Sequence, residues 1–167
     1  MTRDNAREIA VHLIFYLGFG TQSADEVLKS ELNRERFGEL AQEMPIYAQY
    51  PNEKQETYIK NLVRGAFAHG PELDDYISRY AVGWSFERIP RMAAAIMRTA
   101  MYEILYMPDI PNAAAINAAV ELTKQYEPQE VAAFVNGILG SFVRAEFQDT
   151  PAKPEKAAAR TETAPEA

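Results

Sequence analysis

The chain has 167 residues, a formal net charge of -7, a pI near 4.9 and no cysteine. That length suits one domain, or two small helical halves sharing an interface, and the missing thiols exclude disulfides, thiolate metal sites and cysteine nucleophiles. The negative charge argues against a general nucleic-acid coat, since such binding draws its affinity from neutralised phosphates; any RNA contact has to come from a local patch or a partner's charge.

Ala6, Ile9, Ala10, Leu13, Ile14 and Leu17 recur at helical intervals, with Asp4 or Asn5 as cap and Gly18 and Gly20 as the stop. Residues 23 to 43 read as a second, more polar helix capped by Ser23, and Met44 to Asn52 as a loop. A third helix covers about 54 to 68. His69-Gly70-Pro71 forces a bend, after which Leu73, Tyr76, Ile77 and Tyr80 resume the period. Trp84 falls in the connection that follows and is expected to plug the junction between halves. Helices over about 88 to 106, 112 to 126 and 129 to 147 complete the reading, with a turn at Pro108 to Pro111. No strand-like alternation competes, so the fold is expected to be all-α. The Ala/Glu/Thr/Pro-rich stretch after residue 148 reads as a disordered tail.

Acids concentrate between residues 21 and 58, whereas Lys60, Arg64, Arg79, Arg88, Arg91 and Arg98 give the next stretch a mild basic excess. No apolar run is long enough to span a bilayer, and Asp4 and Glu8 stand where a signal peptide would carry a basic flank, so a soluble, cytoplasmic protein is expected. His12 and His69 have no partners at metal-ligand spacing, and no cofactor is expected. Gly18-Phe19-Gly20 is a helix stop and not a phosphate loop. Glu103, Glu121 and the scattered serines lack a nucleophile arrangement, so the chain is not read as an enzyme. Arg98 lies among Ala95, Met97, Met101 and Tyr102, where its donors need partners; helix carbonyls or a carboxylate are favoured over RNA. Asn136 reads as a packing residue, with Gly137 permitting close helix approach. Arg3 and Arg7 share one side of the first helix with His12 and with Phe15 or Tyr16, and cations beside aromatic rings suit single-stranded RNA. From the residues alone, a solvated face with core-facing aromatics is the better reading.

Three motifs change that balance. Met97-Arg98-Thr99-Ala100-Met101-Tyr102-Glu103 resembles the "LR-x-A-x-YE" segment of the NusB transcription antitermination family. Asp109-Ile110-Pro111 with Ala115-Ile116-Asn117-Ala118-Ala119-Val120-Glu121-Leu122 resembles its "D-I-P-x-x-x-A-I-N-E-A-V-E-L", and Phe134-Val135-Asn136-Gly137-Ile138-Leu139 its "FVNGVL". Ala6-Arg7-Glu8 adds a fourth piece, and the resemblance spans about residues 3 to 145. It implies a NusB-like bundle of about six to seven helices in two packed halves, about 1 to 82 and 83 to 148, with a tail at 149 to 167. Arg98, Tyr102, Glu103, Asn117, Glu121 and Asn136 are its motif residues.

The resemblance further implies binding of boxA RNA in ribosomal RNA leaders, together with the small-subunit ribosomal protein NusE, within the RNA polymerase antitermination complex. RNA contacts carry over to Arg3, Arg7, Phe15, Tyr80, Glu130 and Phe134. Relatives carry a denser arginine cluster at the start, so this chain is expected to bind RNA alone more weakly and to lean on its basic partner. Ala93-Ala94, Ala118 and Gly140 replace charged residues of the family pattern, which bears on partner binding. Two other classes fit the same helices: a homodimeric interaction module without RNA binding, and a stand-alone relative of the front domain of RNA cytosine methyltransferases.

Overall fold

The computed structural model describes residues 1–147, which form eight α-helices and two short 3-10 helices, with no strand among them. The all-α expectation holds, with one helix more than the upper expected number. The expected tail lies outside the described residues. No described helix is long and apolar enough to cross a membrane.

Two compact units divide the described chain. The first, Met1–Ala68, holds α1 (Arg3–Leu17), α2 (Ala24–Glu31), α3 (Arg34–Leu40), a 3-10 helix (Pro45–Ala48) and α4 (Glu53–Ala68). Thr2, two residues ahead of Asp4 and three ahead of Asn5, accepts the Asn5 amide at 3.0 Å and starts α1 in place of the expected caps. Ser23 and Glu26 form a reciprocal capping box on α2. The single helix expected over 23 to 43 is two. Asn33 breaks it, because its Nδ2 donates to the Lys29 and Ser30 carbonyls at the end of α2 while its Oδ1 accepts the Arg36 amide that opens α3. One side chain thus satisfies both helix ends, a bonding option that apolar periodicity does not register.

The core of this unit sets Ile9, Leu13 and Val27 with Ile59, Leu62 and Val63, all at most 2% exposed, where α1 packs on α4 and α2 leans on both. Phe37 meets Tyr47 and Tyr50 edge-on, each at 4.9 Å, and Tyr50 donates to the Leu32 carbonyl, so aromatic contacts hold the irregular stretch down. Many acids of the 21 to 58 segment have local tasks. Glu31 and Glu39 bind Arg36, Asp25 binds Arg64 and Glu56 binds Lys60.

The second unit begins at His69, where the sequence-based halves would meet at 82 and 83. It contains α5 (Gly70–Tyr80), a 3-10 helix (Phe86–Arg88), α6 (Arg91–Tyr106), α7 (Asn112–Tyr126) and α8 (Gln129–Phe147). The boundary falls ahead of α5 because Leu73 and Ile77 are fully buried and α5 packs on α6 and α8. Prolines 90, 111 and 128 stand immediately before α6, α7 and α8, where a missing amide costs nothing. Helix α6 is the centre: every residue from Ala93 to Leu105 except Arg98 is buried. Ala93 and Ala94 are therefore core residues, and the expectation that they remove surface charge is corrected. Their small side chains let neighbouring helices approach.

Candidate nucleic-acid interface

The residues singled out from sequence fall into three groups on two units. On α1, Arg3 is exposed and its guanidinium lies 4.4 Å from the centroid of the buried Tyr58 ring, a cation–π contact. Arg7 does not share that exposure. It is 6% exposed and its Nη1 donates to Asp4 Oδ1 at 2.8 Å. His12 is buried as well, its Nδ1 2.6 Å from the Tyr47 hydroxyl. The expected common face of Arg3, Arg7 and His12 is thus corrected: α1 packs on both α2 and α4, and the buried arc is wider than the apolar stripe shows.

Phe15 is half-buried and meets Phe19 edge-on at 4.7 Å, while Tyr16 and Phe19 are 37% and 58% exposed. Phe19 reads in the sequence only as part of the Gly18-Phe19-Gly20 helix stop, which hides its exposed ring.

Burial drives the His12 pKa down, against the raising effect of Glu8 at 3.8 Å. The unfolded chain, with its imidazole pKa at about 6.5, therefore binds more protons below that pH than the folded one does. Stability conferred by neutral His12 is complete above about pH 6.5 and declines as the pH falls towards its lower folded pKa. We expect urea midpoints to fall between pH 7 and 5.5, and His12→Gln to flatten that decline. An unchanged slope in the variant would remove His12 from the account.

On the second unit, Glu130 and Phe134 sit one turn apart at the start of α8, Glu130 exposed and Phe134 half-buried. Trp84 packs on Phe134 with ring centroids 4.6 Å apart and planes at 39°. The indole is 43% exposed, so the expectation of a buried plug is corrected. Tyr80 lies elsewhere. Its hydroxyl donates to Glu146 Oε2 at 2.5 Å, a bond that raises the phenol pKa, and Arg79 joins the same carboxylate at 3.4 Å. Glu146 follows Phe134 by twelve residues of one helix, about 18 Å along its axis, so Tyr80 is not drawn to the Phe134 group.

The motif residues divide by role. Arg98 Nε donates to Asp74 Oδ1 at 2.5 Å, the carboxylate alternative, and ties α6 to α5. Tyr102 is 5% exposed with its ring 5.0 Å from Tyr106, and Glu103 is fully buried. Asn117 and Glu121 are exposed, Glu121 bonded to Lys124 at 3.1 Å. Asn136 is exposed rather than packed, and a Cβ at Gly137 would meet nothing within 4 Å, so neither supports a close helix contact.

The basic stretch is largely spent on ion pairs: Lys60, Arg64, Arg79 and Arg98 are each held by a carboxylate. Arg88, exposed at the end of its 3-10 helix, has no ion-pair partner among the described residues. Among those residues no group of three or more His, Cys, Asp or Glu could hold a metal ion.

The sequence model of the NusB family matches residues 4–144. The transcription antitermination protein NusB of Symbiobacterium thermophilum is 36% identical over 144 residues, covering 86% of this chain and 90% of the relative. Its counterpart in Carboxydothermus hydrogenoformans is 38% identical over 140 residues, covering 84% and 91%. In structure, a T. maritima NusB in a P3121 crystal form superposes with a TM-score of 0.73 at 25% identity, over 93% of this chain and 96% of that one. A chain from the crystal structure of a plectonemic RNA supercoil shares the fold with a TM-score of 0.70 at 23% identity.

Proposed function

The chain belongs to the NusB family, and on that premise we propose that it is a cytoplasmic transcription antitermination factor, a binding protein and not an enzyme, that takes boxA RNA of ribosomal RNA leaders together with the ribosomal protein NusE. Within the RNA polymerase antitermination complex it promotes read-through. The observation that carries this reading is identity above one third, over more than four fifths of the chain, with relatives that bear that name.

The side chains support a division of labour. Arg3 offers an exposed cation to phosphate, Phe15 and Phe134 offer ring surface to unstacked bases, and the exposed carboxylate of Glu130 can accept from a base amino group. Arg7, held by Asp4, orders the first turn of α1, and Tyr80, held by Glu146, fixes α5 on α8. These two act as positioning residues. Exposed Asn117 and Asn136 are available to a protein partner.

With a net charge of -7, and with Lys60, Arg64, Arg79 and Arg98 of the basic stretch held by carboxylates, the chain alone makes few phosphate contacts. A basic partner supplies the remainder, so binding is cooperative between RNA and NusE. The test is transcription in vitro through a terminator placed downstream of a boxA leader, with NusE and the remaining antitermination factors present. Read-through is expected to rise when this chain is added and to stay at baseline when boxA is scrambled. Equal read-through on both templates would reject the reading in favour of a role in protein interaction alone.

A further inference from the structure

Trp84 is the single tryptophan of the chain, and the core does not account for its position. It follows Gly83, whose φ of +85° lies in the left-handed region that glycine adopts at little cost, and its amide donates to the Ala81 carbonyl at 3.1 Å. This turn sets the indole against Phe134 and leaves it 43% exposed, next to Val82 at 89%. A ring of this size gains most from complete burial, and Trp84 forgoes much of that gain.

We propose that Trp84 and Phe134 form a two-ring platform that stacks an unpaired base of single-stranded RNA, which makes Trp84 an RNA-contacting residue. The inference rests on the boxA reading above, and it adds a residue that the family resemblance does not supply. One side of the indole is backed by Phe134, so the ring is held at a fixed tilt before RNA arrives and little side-chain freedom is lost on binding. Its exposed surface is available to a base, and stacking of this kind tolerates any base because every base has a π-face.

The surroundings favour a nucleotide over an apolar peptide. The apolar island is small and is bordered in sequence by exposed Ser85, Glu87, Arg88, Gln129 and Glu130, whereas a protein anchor needs a broader apolar centre. Arg88, without an ion-pair partner among the described residues, can meet a phosphate. Glu87 and Glu130 oppose phosphate but can accept from the amino groups of a base, which selects bases that carry one.

The test uses the full chain with NusE and a fluorescein-labelled boxA oligonucleotide for anisotropy, and unlabelled boxA RNA for the emission of Trp84. The same mixture made with Trp84→Leu serves as the emission blank. Trp84 emission should be quenched saturably, with the Kd found by anisotropy. Trp84→Leu, which keeps an apolar contact with Phe134 but has no π-face, should weaken binding about five- to tenfold, and Trp84→Phe should stay within about twofold.

Three results would overturn the platform alone. If Phe134→Ala weakens binding while Trp84→Leu does not and emission is unchanged, the boxA reading stands and Trp84 has no part in it. If Leu and Phe variants lose binding equally and both melt at lower temperature, the role is structural. If emission changes on adding NusE alone and not on adding RNA, the surface takes protein. Absence of boxA binding by the unmodified chain with NusE would overturn both readings together.

Discussion

Phe134→Ala is expected to lower affinity for boxA RNA, in the presence of NusE, by about 10- to 100-fold, corresponding to about 1.4–2.8 kcal/mol. The effect lies toward the upper part of what one base–aromatic stack supplies, because Phe134 also backs Trp84 at 4.6 Å. Removing the phenyl group deprives the base of one ring and frees the other to move. Phe134 is only half-buried at the start of α8, so helix content and melting temperature should change little. Anisotropy titration with circular dichroism on the same samples checks both halves of the expectation. Retained affinity with intact structure would take Phe134 out of the RNA interface.

Phe142→Ala is expected to cost about 3–5 kcal/mol of folding stability. Phe142 is fully buried on α8, 4.8 Å from the Tyr76 ring, 6.2 Å from that of Tyr80 and 6.0 Å from that of Phe147. Its loss would leave a cavity walled by aromatic rings that are anchored elsewhere, among them Tyr80 through its bond to Glu146, so the site cannot easily collapse. Guanidinium denaturation should show a reduced midpoint for the unit that begins at His69. A loss below about 1 kcal/mol would mean that α5 and α8 repack freely around the vacancy.

Periodicity located the helices because most of them are amphipathic or wholly buried, and three of the starts carry proline immediately ahead of them. It merged α2 with α3 because Asn33, which caps one helix and closes the other, looks like one more polar residue on a solvated face. It placed Arg7 and His12 on the surface because charge is a poor guide to burial when a side chain can bond locally, as Arg7 does with Asp4 and His12 with Tyr47. The carboxylate partner of Arg98 was legible as a need but not as an identity: Asp74 lies 24 residues earlier, and only the packing of α5 on α6 brings it within 2.5 Å.

Phe134 and Glu130 enter the candidate interface through the resemblance, which offers nothing where the chain turns back on itself at Trp84. Trp84 carried a signal that could have been followed: an apolar Val82-Gly83-Trp84 sequence between a helix end and a polar stretch, with no helical period to bury it. A large ring in such a place serves either as a plug or as exposed binding surface. Its exposure and its contact with Phe134 favour the second.

The central claim is selective recognition of boxA RNA strengthened by NusE, and the most direct measurement is a titration of labelled boxA and scrambled RNA with the full chain, with and without NusE, at two salt concentrations. The account predicts weak, salt-sensitive binding by the chain alone and tighter, boxA-selective binding when NusE is present. Equal binding of both RNAs, or negligible binding of either with NusE present, would contradict it.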